Sequence, residues 1–412
     1  MKNKTLDKYI WILGGGRMQH YNILAAKELG YKALVTDGSI NCYCKSESDL
    51  FFKIDIFDIN KNLNFLKKIR KKIEIKSIFV AGIDCTITGA FLAEKLNLVT
   101  SGIKIAKITN NKYQFRKFLF KNKFIDFPFL KIKKIPNNID EIIKKKINYP
   151  LIIKNTDNSA SRGMEIIKSK IELKNLKILI NKAIKASRCG YCTVEKYFVG
   201  TEHTVETIFD ISGKFHPCFI TDRFFDHSSG KALETGLRNP TQLSKSMQKK
   251  IFSYCKKIAL KLGIKIGPAK FDLLISEKKL IILEMTTRLS GGFDSQVLVP
   301  AATGKNIIKA AMLTSLGYKF DKKLLHTKFN KLAISSSIWP KAGKITKIKY
   351  IKPKIHKNDF LEVFFTKKKN DIIQNYSNCA DRPCFIIAAS SNEKRTINLI
   401  KQAKKSISII TI

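Results

Sequence analysis

The sequence predicts an α/β protein whose parallel sheet comes first, followed by a mixed α+β part and a small α+β part. A strand–helix–strand pattern opens the chain, a hairpin pattern fills residues 269–295, and short strands with a final amphipathic segment follow residue 326. A chain of 412 residues is long enough for two or three domains with large buried cores.

A strand, a helix and a second strand occupy the first 37 residues. Residues 9–13 form an apolar strand, and the helix that follows ends at Gly30. A second apolar strand follows at residues 32–36. Strands joined by a helical crossover are parallel, so we expect a parallel sheet, which residues 77–81 extend, with Asp84 just beyond their carboxyl end.

Three glycines follow the first strand and match part of a dinucleotide-binding loop. Gly14 and Gly16 fit the GxGxxG fingerprint, but its third glycine position is Gln19. The helix therefore lacks the small residue that the fingerprint needs for close packing. A small-substrate site at these strand ends is the better interpretation.

The middle of the chain alternates strands with amphipathic helices. Residues 109–122 are predicted to form a helix that Thr109 caps. Residues 149–154 form a strand that ends in Lys154, and residues 193–197 form another. A later helix, closed by Gly263, has one apolar face that contains Met247, Ile251, Cys255, Ile258 and Leu262.

Bulk composition excludes several classes of protein. The apolar share of 44% is normal for a globular protein, and no run approaches the roughly 18 apolar residues of a membrane span. The chain start continues into a glycine turn instead of a cleavage site, so we expect no signal peptide. Nine cysteines without a disulfide framework indicate a cytoplasmic protein, and the lone CxxC of Cys189 and Cys192 is insufficient for a redox or zinc site.

The formal charge of +44, from 77 basic and 33 acidic residues, suggests a nucleic-acid partner. The lysines, however, are spread along the whole chain and are not gathered into one tract with interleaved aromatics. Spread charge attracts phosphates weakly and in a salt-dependent way. We therefore expect no dedicated nucleic-acid site.

The hairpin pattern contains the most informative residues. If its loop has an odd number of residues centred on Lys278, Asp272 lies directly opposite Glu284, with Cβ atoms about 5 Å apart. Two bare carboxylates at that distance repel unless a cation lies between them or one is protonated. Arg288 and a glycine pair follow, which suits a magnesium–phosphate centre. The alternative is a surface hairpin with ordinary charges.

Further weak signals lie before the hairpin. Lys112 is near a helix start, and Lys154 ends an apolar strand, so its ammonium must reach solvent or an anion. The small polar residues 158–163 offer hydroxyl and N–H groups to phosphate oxygens. Residues 195–198 offer backbone groups and a carboxylate to a nucleobase. Each has an ordinary alternative: a solvated lysine, a plain loop or a strand end.

In order, these motifs resemble the ATP-grasp superfamily. The succession is a lysine, a second lysine, a small-residue loop, VEKYFVGTE, FDLL, LEMTTR and GG. The chain is similar to the carboxylate–amine ligase branch, which includes the carbamoyl-phosphate synthase large subunit, biotin carboxylase, D-alanine–D-alanine ligase and bacterial L-amino-acid ligases. The resemblance covers nearly the whole chain.

The resemblance implies three domains. Residues 1–108 would form the Rossmann-like domain that precedes ATP-grasp, here containing GGGRMQHYNILAAKELGYKALVTDGS. Residues 109–325 would form the ATP-grasp domain, with a flap subdomain at about 126–198. Residues 326–412 would form the small carboxyl-terminal domain, from WPKAGKITKI to RPCFIIAASS.

The resemblance also assigns a nucleotide site. Lys112 and Lys154 would contact the ATP phosphates, and Glu202 would hold the ribose. The flap over the phosphates would include Ser159, Ser161 and Gly163, and the adenine would lie against Glu195, Lys196 and Phe198.

A metal and substrate site is implied as well. Asp272 and Glu284 would bind Mg²⁺, with Mn²⁺ as an alternative. Thr286 falls where the family commonly has asparagine, and its hydroxyl would be a further ligand. Arg288 would stabilise the transferring phosphate, and the remaining substrate contacts would be Gly291, Gly292, Glu234 and Arg238.

The implied function is an ATP-dependent ligase that activates a small carboxylate as an acyl phosphate and joins it to an amine. It needs no nucleophilic serine, in agreement with the absence of a GxSxG motif. The implied partners are small-molecule substrates, with a homodimer as an option. One alternative is a bicarbonate-using carboxylase of the biotin-carboxylase type, and another is a catalytically degenerate basic binding protein.

Overall fold

A computed structural model describes residues 6–158, 163–226, 233–277, 279–376 and 382–412. It confirms the predicted fold class, with a parallel sheet first, antiparallel sheets after it and a small α+β part at the end. Among the described residues, no helix is both long enough and apolar enough to cross a membrane.

The first sheet is parallel, as the opening strand–helix–strand pattern predicted. Its strand order is β3-β2-β1-β4, and β1 pairs in parallel with both neighbours. The strands are β1 (Lys8–Leu13), β2 (Lys32–Asp37), β3 (Leu50–Lys53) and β4 (Glu74–Phe79), and the helices between and after them are α1 (His20–Glu28), α2 (Ile59–Ile69) and α3 (Thr86–Lys95).

The helix predicted at residues 109–122 is α5 (Lys112–Lys121), which begins three residues later than expected, and a separate short helix, α4 (Ile103–Thr109), precedes it. Thr109 is the last residue of α4, and its hydroxyl donates back to the carbonyl of Ile105, so Thr109 is not the cap. Asn111 caps α5 instead, because its side chain accepts a hydrogen bond of 3.0 Å from the backbone N–H of Gln114. Lys112 is therefore the first residue of α5.

A small antiparallel sheet follows, in the order β5-β8-β6-β7. Its apolar side packs on two helices through residues such as Ile153, Val194 and Ile180. The strands are β5 (Phe129–Ile132), β6 (Leu151–Asn155), β7 (Glu165–Ile167) and β8 (Cys192–Lys196), and the helices are α6 (Ile139–Lys146) and α7 (Leu173–Ala186).

The largest sheet is antiparallel, in the order β13-β12-β9-β10-β11-β14-β18-β16. Its first five strands in sequence are β9 (Thr201–Phe209), β10 (Phe215–Asp226), β11 (Leu233–Asn239), β12 (Gly267–Ser276) and β13 (Lys279–Thr286). The remaining strands are β14 (Leu332–Ser336), β16 (Phe360–Phe365) and β18 (Cys384–Ser390). The sheet therefore continues across the boundary predicted at residue 326, since β14 pairs with β11. The domain boundaries themselves stay a prediction.

The rest of the last segment forms a three-stranded sheet, β17-β15-β19. Its strands are β15 (Gly343–Tyr350), β17 (Ile372–Ile373) and β19 (Ile407–Thr411). The later helices are α8 (Lys245–Leu262), α9 (Val299–Thr303), α10 (Ile307–Ser315) and α11 (Glu393–Ser406). The left-handed Gly263 closes α8 with a φ of 94°, as predicted.

Strand alternation gives the largest sheet two different faces. Val205 on β9 and Phe271 on β12 point toward α8, where they join Ile251 and Ile258 in one apolar core. On the opposite face, the hydroxyl of Thr204 on β9 donates to the carboxylate of Asp272 on β12. One face is therefore hydrophobic core, and the other carries polar groups.

The first sheet docks onto the chain that follows β13. Ala81 bridges Leu289, and the N–H of Gly82 donates to the carbonyl of Leu289. A Cβ atom on Gly291 would lie 3.4 Å from the carbonyl oxygen of Gly82, so the two backbones are close. This contact joins the strand ends of the first sheet to the polar face of the largest sheet.

We expect Ile258→Ala to lower the free energy of unfolding by about 2–5 kcal/mol, because it removes a fully buried side chain from the core beneath β9 and β12. Denaturant unfolding measures this loss. Lys257→Ala, on the exposed neighbouring position, is the matched control and should change stability by less than about 0.5 kcal/mol. Equal effects of the two changes would contradict the placement of α8.

Candidate active site

A cavity of about 460 Å³ lies between the first sheet, the small sheet and the polar face of the largest sheet. It brings together most of the predicted site residues. Those that line it are Lys112, Lys154, Glu195, Lys196, Phe198, Glu202, Glu234, Asp272, Glu284, Arg288, Gly291 and Gly292. Charged lining residues that the sequence reasoning did not assign are Asp84, Arg116, Arg223, Lys270, Asp294 and Arg382.

Asp272 and Glu284 lie opposite each other on β12 and β13, as predicted. The reason given from the sequence was wrong, because Ser276 already pairs with Lys279 and the register near the turn is not centred on residue 278. A bulge between Asp272 and Leu273 shifts the register by one residue and brings Glu284 into line. The bulge therefore directs two carboxylates at one cavity.

A cation lies between these two carboxylates, as their separation requires. The ammonium of Lys270 contacts Asp272 and lies 3.8 Å from an oxygen of Glu284. Arg223 lies 3.1 Å from Asp272, and Lys112 lies 4.0 Å from Glu284. Burial alone would raise the pKa of Asp272, but Arg223 and Lys270 outweigh it and hold that pKa well below its usual range. Asp272 is therefore ionised at neutral pH.

This carboxylate pair fits a divalent metal ion. Both residues offer hard oxygen ligands from facing strands, and the Lys270 ammonium close to both carboxylates shows that the pair attracts positive charge. In the described part of the chain, no cluster of three or more His, Cys, Asp or Glu side chains forms a ready-made metal cage. Thr286 lies two residues beyond Glu284, opposite Lys270, and is not among the residues that line the cavity.

A buried ion triad lies at the small-sheet end of the cavity. Glu195 on β8 accepts hydrogen bonds from Arg116 at 3.1 Å and from Lys154 at 3.2 Å. Burial would raise the pKa of Glu195, but the two cations outweigh it and lower the pKa to about 2. Arg116 also donates to the backbone carbonyls of Ile282 and Leu283, so it ties α5 to β13.

Lys154 and the residues that follow Glu195 are held in place at this end of the cavity. Burial lowers the pKa of Lys154, and the nearby Glu195 carboxylate, which would raise that pKa, only partly offsets the effect. Lys196, next to Glu195, donates to the carbonyl of Tyr149 at 2.9 Å. Phe198 packs edge-on against Phe127, with ring centroids 5.0 Å apart. The apolar wall at this end consists of Phe127, Ile152, Met164, Ile166, Phe198, Leu274, Ile281 and Leu283.

The predicted flap is only partly within the described residues. Ser159 and Ser161 lie outside them. Gly163 has a φ of 63° and packs against α7, where an added Cβ would come 2.7 Å from that of Ala186; it does not line the cavity. Asn158, which does line the cavity, accepts a hydrogen bond of 2.7 Å from Lys112 through its carbonyl.

A second charge cluster lies toward β10 and β11. The guanidinium of Arg223 donates two hydrogen bonds to Glu234, at 2.8 and 2.9 Å, and lies 3.6 Å from Glu202. Arg382, from the last segment, donates to both the side chain and the carbonyl of Glu234. Burial raises the pKa of Glu202 to about 7, partly opposed by Arg223 and reinforced by Asp272. This end of the cavity is therefore built from residues far apart in sequence.

Arg288 is anchored by the first sheet. Its Nε donates to Asp84 at 2.8 Å, and Nη2 makes a second hydrogen bond to the same carboxylate oxygen. Beneath the glycine pair, the buried Glu206 accepts from the N–H of Ser290 at 2.7 Å and from the hydroxyl of Ser295 at 2.9 Å. Met18 accepts from the N–H of Gly292. These contacts fix the loop after β13 at the cavity wall.

Arg238 was predicted to belong to the acceptor pocket, and the structure corrects this. Its guanidinium pairs with Glu393 on α11 at 2.7 Å, and the residue does not line the cavity. Regular alternation would place Glu234 and Arg238, which are four residues apart, on the same face of β11. An irregularity in the pairing of β11 with β10 lies between them and puts them on different faces. Glu234 faces the cavity, and Arg238 faces α11.

Comparison with known proteins agrees with this architecture. Residues 147–296 match the family model of the ATP-grasp domain. The resemblance inferred from the sequence is confirmed for this segment.

Several solved structures share the fold over nearly the whole chain. L-amino acid ligase from Bacillus licheniformis is 18% identical with a TM-score of 0.82, and the match covers 99% of this chain and 100% of that chain. Phosphoribosylglycinamide synthetase from Anaerococcus prevotii is 20% identical with a TM-score of 0.73, covering 98% and 100%. The biotin carboxylase domain of 2-oxoglutarate carboxylase from Hydrogenobacter thermophilus, solved with MgADP, ADP and bicarbonate, is 17% identical with a TM-score of 0.77, covering 99% and 92%. At these identities the likeness establishes the fold.

We expect Arg116→Met to lower the free energy of unfolding by about 3–5 kcal/mol at pH 7, because it leaves buried Glu195 with one cation fewer. The folded pKa of Glu195 is lowered, so the triad stabilises the fold above the unfolded pKa of about 4.3 and loses this effect as pH falls toward about 2. The difference between variant and wild type should therefore shrink from pH 7 to pH 3. Denaturant unfolding at both pH values measures it, with Lys117→Met, exposed on the same helix, as the control. A difference that does not depend on pH would contradict an ionised triad.

Proposed function

We propose that this chain, whose residues 147–296 form an ATP-grasp domain, is an ADP-forming ligase that joins a small carboxylic acid to an amine. The observation that carries the proposal is the opposed pair Asp272 and Glu284, which shares one cavity with Arg288, Lys112 and Lys154. A carboxylate is a poor electrophile. Transfer of the γ-phosphate of ATP to it gives an acyl phosphate, which an amine can attack. Such transfer depends mainly on positioning and charge neutralisation.

The nucleotide would bind between the small sheet and the β12–β13 hairpin. The apolar wall there, which includes Ile152 and Leu283, suits a flat base, since apolar and aromatic side chains line most small-molecule sites. Lys112 and Lys154 carry ammonium groups at the same cavity and would contact phosphate oxygens. Glu202 would hold the ribose hydroxyls, as the family resemblance implies.

Asp272 and Glu284 would hold the Mg²⁺ ion that accompanies the nucleotide. Their facing carboxylates offer the hard oxygen ligands that Mg²⁺ prefers, and Asp272 is ionised at neutral pH. When bound, the ion supplies neutralisation of charge on phosphate oxygens. Thr286 stays a proposed further ligand, and Mn²⁺ stays a proposed substitute.

Arg288 would stabilise the phosphoryl group during transfer. A planar guanidinium can donate in parallel to two equatorial oxygens, and Asp84 keeps this one at the cavity wall. Gly291 and Gly292 also line the cavity and would let the backbone approach the substrate carboxylate. Enclosure of the cavity between three sheets would limit hydrolysis of the acyl phosphate.

A bicarbonate-using carboxylase is the second candidate. It is favoured by one structural relative, the biotin carboxylase domain whose structure contains bicarbonate. The two candidates differ in what drives phosphate release from ATP. A screen of amino acids and other small acids against a panel of amines, with and without bicarbonate, separates them. Release that needs an acid and an amine supports the ligase, and release that needs bicarbonate supports the carboxylase.

We expect Glu284→Gln to reduce phosphate release by at least about 100-fold, because it removes a charged ligand from the carboxylate pair. Phosphate release under saturating ATP and Mg²⁺ measures this loss. Glu277→Gln, an exposed position in the same hairpin, is the matched control and should keep wild-type turnover. Full activity of Glu284→Gln would overturn its role in metal binding.

We expect Arg288→Ala to reduce turnover by about 100-fold or more while changing ATP affinity by only a few-fold, because the guanidinium would act mainly on the transferring phosphoryl group. Steady-state kinetics and equilibrium ATP binding give the two numbers. Arg238→Ala is the matched control, since its guanidinium pairs with Glu393 and does not line the cavity. Equal losses of affinity and turnover in Arg288→Ala would assign the residue to ground-state binding instead.

A further inference from the structure

Almost every described carboxylate at the cavity lies within 4.0 Å of at least one lysine or arginine nitrogen, and some of these cations are shared. Asp272, Glu195 and Glu234 each have two cationic partners, and Asp84 has Arg288. Glu202 lies 3.6 Å from Arg223, and Glu284 lies within 4.0 Å of two lysines. The exception in the described part of the chain is Asp294, for which no Lys, Arg or His nitrogen lies within 4.0 Å of the carboxylate.

Asp294 is held firmly at the cavity wall. It is the first residue of a short π-helical turn, Asp294–Leu298, and only 2% of its surface is exposed. The preceding Phe293 is left-handed, with a φ of 63°, and its ring stacks on Phe364 with centroids 4.3 Å apart. This stacking locks the backbone that presents Asp294 to the cavity.

Only one of the two carboxylate oxygens of Asp294 accepts a hydrogen bond from a described residue. The hydroxyl of Thr221 donates to Oδ1 at 2.9 Å, and no described residue donates a hydrogen bond to Oδ2. Burial raises the pKa of Asp294 well above its ordinary value, Glu206 on β9 and Glu234 on β11 add to this, and Thr221 and the more distant Lys270 on β12 oppose it. A purely structural role would be served as well by an amide, which carries no charge to compensate.

We propose that Asp294 binds the nitrogen of the amine substrate and takes a proton from it before that nitrogen attacks. The inference rests on the proposed ligase function and adds a catalytic residue to it. Asp294 shares the cavity with Arg288 and the glycine pair, which lie on the loop proposed to hold the acyl phosphate. An ammonium at Oδ2 would supply the cation that the protein itself does not.

The proton balance of the second half-reaction is then complete. The substrate ammonium, R–NH₃⁺, gives one proton to the Asp294 carboxylate and becomes R–NH₂. Its lone pair forms the C–N bond at the acyl-phosphate carbonyl carbon, and the bond between that carbon and the bridging phosphate oxygen breaks. Inorganic phosphate leaves with that electron pair and takes up the second nitrogen proton. Asp294 returns its own proton to solvent when the product leaves.

The cavity around Asp294 also fits an amine with an apolar body. Met18, Leu237 and Phe385 line the same cavity, and Arg382 stacks over the Phe385 ring at 4.4 Å. A carbon skeleton could therefore lie on this apolar surface while its nitrogen reaches Asp294.

The first test needs no substrate. Asp294→Asn keeps the shape and removes the uncompensated charge. The folded pKa is raised, so the wild type loses stability as pH rises above the unfolded value of about 3.9. We expect Asp294→Asn to raise Tm by about 3 °C at pH 8 and by less at pH 5. Glu393→Gln, a carboxylate outside the cavity, is the control. A lower Tm for Asp294→Asn at both pH values would mean a structural role and overturn the proposal.

The second test separates the two half-reactions. Hydroxylamine is largely uncharged near pH 7 and traps acyl phosphates as hydroxamates without needing a base. We expect Asp294→Asn to form hydroxamate within a few-fold of wild type, while its rate of ligation to the amine falls by about 10²–10⁴-fold. The pH profile of ligation should also lose its acidic limb in this variant, because a general base is active only when it is unprotonated.

The outcomes are distinguishable. Wild-type hydroxamate formation together with unchanged amine ligation by Asp294→Asn would overturn the role of Asp294 alone. A wild type that forms no hydroxamate from ATP with any acid of the panel would overturn the ligase function and, with it, the role of Asp294. Loss of hydroxamate and ligation in equal measure in Asp294→Asn would assign the residue to the first half-reaction and also reject the proposal.

Discussion

A buried carboxylate needs positive charge beside it, and this requirement organises the site. Asp272 is ionised only because Arg223 and Lys270 outweigh the cost of burying it. Arg223 in turn pairs with Glu234, and Glu234 pairs with Arg382. The hairpin, the middle strands and the last segment of the chain are therefore held in one ionic network, and the charge state of each group depends on the others.

Acidic residues are the informative ones in so basic a chain. The whole sequence has 77 basic and 33 acidic residues, but among the described residues the cavity is lined by eight basic and seven acidic side chains. A lysine elsewhere in this protein is ordinarily just solvated. Acidic residues are much less frequent in this chain, so a buried acidic residue is more informative. This explains why Asp272 and Glu284 stand out in the sequence, although the register argument that paired them was wrong.

Much of the fold and the local half of the site could be predicted from the sequence. Period-two alternation identified β12 and β13, and Gly263 marked the end of α8. Lys270 could also have been found, because it lies two residues before Asp272 and so on the same face of β12. The start of α5 was placed too early because Asn111 competes with Thr109 as a cap, and sequence alone does not decide between two good capping residues.

Other parts of the site had no local signal. Arg223 and Arg382 come from strands and loops whose only link to Glu234 is the order of strands in the largest sheet. Asp84 was recognised as lying at a strand end, but its pairing with Arg288 depends on how the first sheet docks. The facing of Asp272 and Glu284 depends on a bulge, which a regular hairpin pattern does not reveal.

The continuity of the largest sheet also affects how the protein is made. On the ribosome, β11 emerges before β14, so until the last segment arrives β11 presents an unpaired strand edge to the cell. Arg382 belongs to that same late segment, so its ion pair with Glu234 cannot form until this segment has been synthesised. The nascent polypeptide therefore passes through a stage in which an exposed strand edge can pair with other chains and the ionic network of the site is incomplete. Chaperone demand should be greatest during synthesis of the final quarter of the chain.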